Sequence, residues 1–163
     1  MKSVATFFLL TTFLAACSQT KQAQIVKTHG YFQTVVPGII PRDEVGNRQR
    51  SLPDTLYSVF VELKGEAPQW TGAWVGEKAF RVQPFPVRDS LVYIGKRKGS
   101  SESEQLQAAP GYHFSVLRLV KESNASLPPK KMESGTVLLQ GKFKTKTFYQ
   151  VVPLTELTAP LRQ

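Results

Sequence analysis

The stretch TLYSVFVEL, residues 55–63, alternates without a break. Tyr57, Val59, Val61 and Leu63 fall on one face of an extended chain, and Ser58, Phe60 and Glu62 on the other. A period of two carried by β-branched and aromatic residues predicts a strand with one face against a core. The rest of the chain is written the same way. Downstream, 69–75 and 78–83 predict two strands joined by a tight turn at Gly76-Glu77. Pro84 and Pro86 then confine QPFPV to a sheet edge or a crossover. Further strands are expected at 90–94, 112–120, 135–140 and, longest of all, 143–152. Upstream, 31–36 is a first short strand stopped by Pro37-Gly38, with a long connection through Arg42, Asp43, Glu44, Asn47 and Pro53.

One short helix is expected at 102–109. Ser101 to Glu104 fits a capping box, and Pro110-Gly111 would end the helix. Residues 122–134 read as a polar, proline-bearing loop. Many short strands and one helix predict an all-β domain, an antiparallel β-sandwich of immunoglobulin-like architecture. A small closed barrel is the alternative.

The first residues carry a different message. Lys2 and the amino terminus are positive, and residues 4–16 (VATFFLLTTFLAA) are apolar and uncharged. Thirteen residues are too few to span a bilayer, which takes about 20. They suit the apolar region of a secretory signal, with Ala15-Ala16 as the small residues at the cut. The chain's one cysteine, Cys17, follows directly. Leu14-Ala15-Ala16-Cys17 resembles the lipobox of bacterial lipoproteins at all four positions. The resemblance implies cleavage before Cys17, lipid on its sulfur and acylation of the new amine. One acyl chain holds a membrane weakly and two or three hold firmly. Ser18, rather than Asp, stands at the second mature position, and no acidic residue precedes Asp43. By the same resemblance, that implies an outer-membrane address facing the periplasm. The expected division is a signal peptide at 1–16, a lipidated tether at 17–28, the β-domain at 29–156 and a tail at 157–163.

Removing 16 of 163 residues leaves 147, enough for one domain with its own core. With Cys17 lipidated no disulfide is available, so that core must suffice. The formal charge of +9 drops to about +8 without Lys2 and suits polyanions such as phosphorylated glycolipid or teichoic acid. At a membrane address no nucleic-acid partner is expected.

Catalytic signatures are missing. There is no Gly-x-Ser-x-Gly, no Gly-x-x-x-x-Gly-Lys and no His-Glu-x-x-His. The two histidines, His29 and His113, fall short of the three or four ligands a zinc site needs, so no metal or cofactor is expected. His113 shares a strand face with Ser115, which leaves a small hydrolase or metal-dependent enzyme, using His113 and a distant carboxylate, as the alternative function. Two other clusters are candidates for binding. In WTGAWVG, residues 70–76, unbroken alternation puts Trp70 and Trp74 on one face as a stacking platform for a sugar or a proline, or else into the core. Lys142, Lys144 and Lys146 alternate along the last predicted strand. They read as protection of an exposed sheet edge or as a contact for an anionic ligand or membrane. The function that follows is a membrane-anchored, non-catalytic module for an envelope protein, glycan or anionic polymer.

Overall fold

The structure, a computed structural model, describes residues 24–35, 54–122 and 126–158. The signal peptide, Cys17 and the connection through Arg42 to Pro53 lie outside the described residues. Nine strands follow in order: β1 Gln24–Val35, β2 Asp54–Lys64, β3 Gln69–Val75, β4 Lys78–Pro86, β5 Leu91–Lys96, β6 Ser103–Gln107, β7 His113–Lys121, β8 Thr136–Phe143 and β9 Lys146–Leu157. Seven of them close a barrel in the order β1-β2-β7-β4-β3-β8-β9, and β5 and β6 form a separate hairpin. The domain is therefore all-β and a barrel. The sandwich expectation gives way to its alternative because β1 returns to pair with β9, so one continuous sheet has no two edges left to face each other.

Seven is an odd number, and that fixes the closure. Strand directions cannot alternate all the way around a ring of seven, so one adjacent pair must run parallel. That pair is β1 and β9, with Gly30 to Gln33 beside Leu154 to Leu157; the other pairs in the barrel are antiparallel. Glycine is required at the start of the seam. A Cβ on Gly30 would lie 2.5 Å from the Pro153 carbonyl oxygen. Pro153 also explains why the ladder starts where it does. The Leu154 N–H donates to Gly135 O on the β8 side at 2.8 Å. Backbone groups alternate sides along a strand, so the nitrogen of Pro153 turns toward β1, where it has no hydrogen to give. Before that point the two strands are not paired. Val26 on β1 and Tyr149 and Val151 on β9 lie along this unpaired stretch, all exposed.

Alternation sorts the side chains into an inside and two outsides. Val59, Val61 and Leu63 of β2 meet Phe80, Leu117 and Leu139 in the lumen, which is packed with side chains. The opposite face of β1, β2 and β7 presents Tyr31, Phe60 and Phe114, and the β5–β6 hairpin covers them with Leu106, backed by Ala108 just beyond it. On the outside of β3, β4 and β8, Trp74, Ala79 and Leu138 are covered by Met132 from the loop before β8. Each large apolar side chain buried this way contributes about 1.5–3 kcal/mol.

Several expected elements differ. Residues 102–109 are not a helix. Glu104, Leu106 and Ala108 point inward while Ser103, Gln105 and Gln107 are exposed, so the period is two and the segment pairs with β5. Burial of Leu106 and Ala108 against the barrel wall outweighs the capping signal. The strand expected at 31–36 begins at Gln24, so the last residues of the expected tether, 24–28, are barrel wall. At the other end, Leu157 belongs to β9 rather than to a tail. The long strand expected at 143–152 is two strands meeting at a turn, Lys144-Thr145, where Lys144 takes a φ of 52°. The turn at Gly76-Glu77 is as expected, with Gly76 at φ 59°.

Candidate functional site

Trp70 and Trp74 do not form a platform. The register of β3 against β8 slips between Trp70 and Gly72, so Thr71 is an extra residue in a β-bulge. One extra residue reverses the face of everything before it. Trp70 therefore points into the lumen and Trp74 points outward under the loop, and both are buried, at 8% and 6% exposure. Trp74 Nε1 donates to the Ser126 carbonyl at 2.9 Å. Trp70 packs edge-on against Phe148, 5.7 Å between centroids, and Phe148 stacks on Phe143 at 5.1 Å. The buried Trp70 Nε1 has no hydrogen-bond partner.

His113 opens β7 opposite Leu63. It shares the inward face with Ser115, as the alternation says, but it is exposed at the barrel end while Ser115 is buried. Among the described residues no carboxylate is hydrogen-bonded or ion-paired to His113. None of the His, Cys, Asp or Glu side chains described there gather in threes around a metal position. His29 stands apart, on the outer face of β1.

Around His29 the fold assembles a group that the alternation of single strands does not show. A cleft beside the parallel seam is lined by His29, Tyr31, Arg97, Glu104 and Thr155. Arg97 grips Glu104 with two hydrogen bonds, Nε to Oε2 at 2.5 Å and Nη2 to Oε1 at 2.8 Å. Tyr31 donates its hydroxyl to the same Oε1 at 3.0 Å. The Arg97 hydrogen bond holds Glu104 below the usual carboxylate range. Burial, and then the bond to Glu104, push the Tyr31 hydroxyl well above its ordinary value. Burial and the charge of Lys27 lower His29. At neutral pH the cleft thus holds an ionised carboxylate already occupied by a guanidinium, a protonated phenol and a neutral imidazole. Such a group braces the hairpin against the wall; the carboxylate is occupied and the phenol protonated, and the neutral imidazole of His29 keeps one basic nitrogen. Its one sequence signal is Glu104, a carboxylate on the same alternating face as Leu106 and Ala108.

The three lysines are not a ladder on one strand. Lys142 lies on β8, which is paired on both sides, Lys144 is in the turn, and Lys146 opens β9. All three are exposed. They crown one hairpin at one end of the barrel.

Compared with protein-family models, with curated proteins and with solved structures, the chain matches none.

Proposed function

We propose that the protein is a lipid-anchored envelope lipoprotein whose barrel is a non-catalytic binding or structural module, held at the outer membrane and facing the periplasm. The observation that carries this reading is Leu14-Ala15-Ala16-Cys17 directly after an apolar signal segment, with the chain's one cysteine at the point of attachment. The described fold is compatible with it. The barrel starts at Gln24, only seven residues after Cys17, so the anchor and the body are close in sequence. The lumen is packed with side chains, so a protein, glycan or anionic polymer would be met on the outer surface.

The test is Cys17→Ser expressed from the full precursor. Loss of metabolic acyl labelling, and a shift from the detergent phase to the aqueous phase, are expected. A Cys17→Ser protein that still partitions into detergent at the wild-type mass defeats the reading. A crosslinked pull-down from solubilised envelope, compared with the same variant, identifies the partner.

A further inference from the structure

Strand direction decides which side chains share an end of the barrel. β1, β7, β3 and β9 begin, and β2, β4 and β8 finish, at one and the same end. The register requires it: Gln24 is opposite Lys64, Leu63 opposite His113, Ser115 opposite Pro86, Gln69 opposite Lys142 and Phe143 opposite Lys146. The segment leading from Cys17 therefore enters the barrel at the end that carries the lysine hairpin. From Cys17 to Gln24 there are seven peptide steps, which cover at most about 25 Å.

That end is basic. Lys27, Lys64, Lys142, Lys144 and Lys146 are exposed there against Glu66, while Arg88 and Asp89, just after β4, offset each other. The unpaired stretch of the seam opens toward the same end and leaves Tyr149 46% and Val26 42% exposed, an aromatic and an aliphatic side chain suited to a headgroup boundary. Among the described residues the opposite end is balanced, with Asp54, Glu77, Glu122 and Glu133 against Lys78, Lys121, Lys130 and Lys131.

We propose that the lysine end of the barrel rests on the anionic headgroups of the leaflet that holds the Cys17 lipid. The proposal depends on the lipid-anchor reading and adds the orientation of the barrel and the chemistry of its contact. A short tether keeps the lysines at a high effective concentration over the surface, so modest attraction per charge suffices. The balanced end, with no excess of either sign, points away. Contact acts only within the screening length, about 8 Å at physiological salt, so it is salt-sensitive.

The experiment uses the lipidated protein added to preformed vesicles of phosphatidylcholine, with or without about one-third phosphatidylglycerol. A membrane-impermeant amine-acetylating reagent is read out lysine by lysine by mass spectrometry. Lys64, Lys142, Lys144 and Lys146 should react at least about threefold more slowly on the anionic vesicles, with Lys78 and Lys121 unchanged. High salt should abolish the difference. The variant Lys142→Gln/Lys144→Gln/Lys146→Gln should release Lys64 from protection. Equal labelling of both ends on anionic vesicles overturns the proposal, as does protection that is the same on neutral vesicles. The intact mass of the same sample separates the two readings. An acylated chain with an unprotected lysine end sinks the docking alone, and a chain without acyl groups sinks the anchor and the docking with it.

Discussion

Leu138 and Leu139 are neighbours on β8, equally inaccessible to solvent, and they belong to different cores. Leu139 faces a lumen ringed by seven strands, and Leu138 faces outward beneath a loop. The same division separates Trp70 from Trp74. A barrel wall of this kind has two buried sides, so burial by itself does not say which core a residue serves. What differs is the freedom of the surroundings to follow a change. The lumen is ringed by strands held in one closed sheet, whereas a covering loop can settle onto a smaller side chain.

The largest expected effect breaks the leucine pair apart. Leu139→Ala should cost toward the upper end of the roughly 2–5 kcal/mol span for such truncations, and Leu138→Ala toward the lower end, because only the outer site can collapse. Urea unfolding of both variants measures this, and equal costs would refute the distinction. A smaller contrast separates the tryptophans. Trp74→Phe loses the bond to Ser126, while Trp70→Phe removes a buried donor that has no partner. Trp74→Phe should therefore be the more destabilising, by about 1 kcal/mol, in the same assay.

Both contrasts rest on parity, and parity is where the sequence is legible in one place and silent in another. The faces of residues 55–63 are as the alternation says, because β2 pairs with β7 without a register shift from Tyr57 to Leu63, and the one irregularity against β1 falls on β1 at Val26. β6 was legible too, in the alternation of residues 103–108, but a capping-box pattern over the same residues pointed to a helix. Trp70 could not be placed, since one unpaired residue, Thr71, reverses its face and nothing in WTGAWVG marks the bulge. The two-residue turn at Lys144-Thr145 was hidden for a related reason. It lacks the glycine or asparagine that usually supplies a positive φ, and lysine takes that conformation instead. The Arg97–Glu104–Tyr31 brace joins residues up to 73 positions apart, which no local pattern encodes. The choice of barrel over sandwich depended on a pairing between residues near 30 and residues near 155.

The smallest expected effects concern the outer cover alone. Glu104→Gln should raise amide exchange in β5 and β6 while leaving β2 and β8 protected, as seen by hydrogen exchange. Acid should act in the same direction. His29 and Glu104 both have lowered pKa values in the fold, so the stability each contributes is present above its unfolded value and lost as pH falls through its folded value. The loss should begin below about pH 6.5 for His29 and deepen below about 4.5 for Glu104. A thermal-melting series from pH 8 to 4 checks this, and His29→Gln should remove the upper part of the slope.

The parallel seam has a mechanical consequence. An even-stranded antiparallel barrel brings its first and last strands back to the same end, where a pull between them opens hydrogen bonds one after another. Here β1 begins at one end and β9 finishes at the other, and the two lie side by side over Gly30 to Gln33 and Leu154 to Leu157. Tension applied between Gln24 and Thr158 runs along these strands and loads the seam in shear, so its bonds share the force and must yield together. A short joint of the ring, cut off by Pro153, thus carries load along its strongest direction.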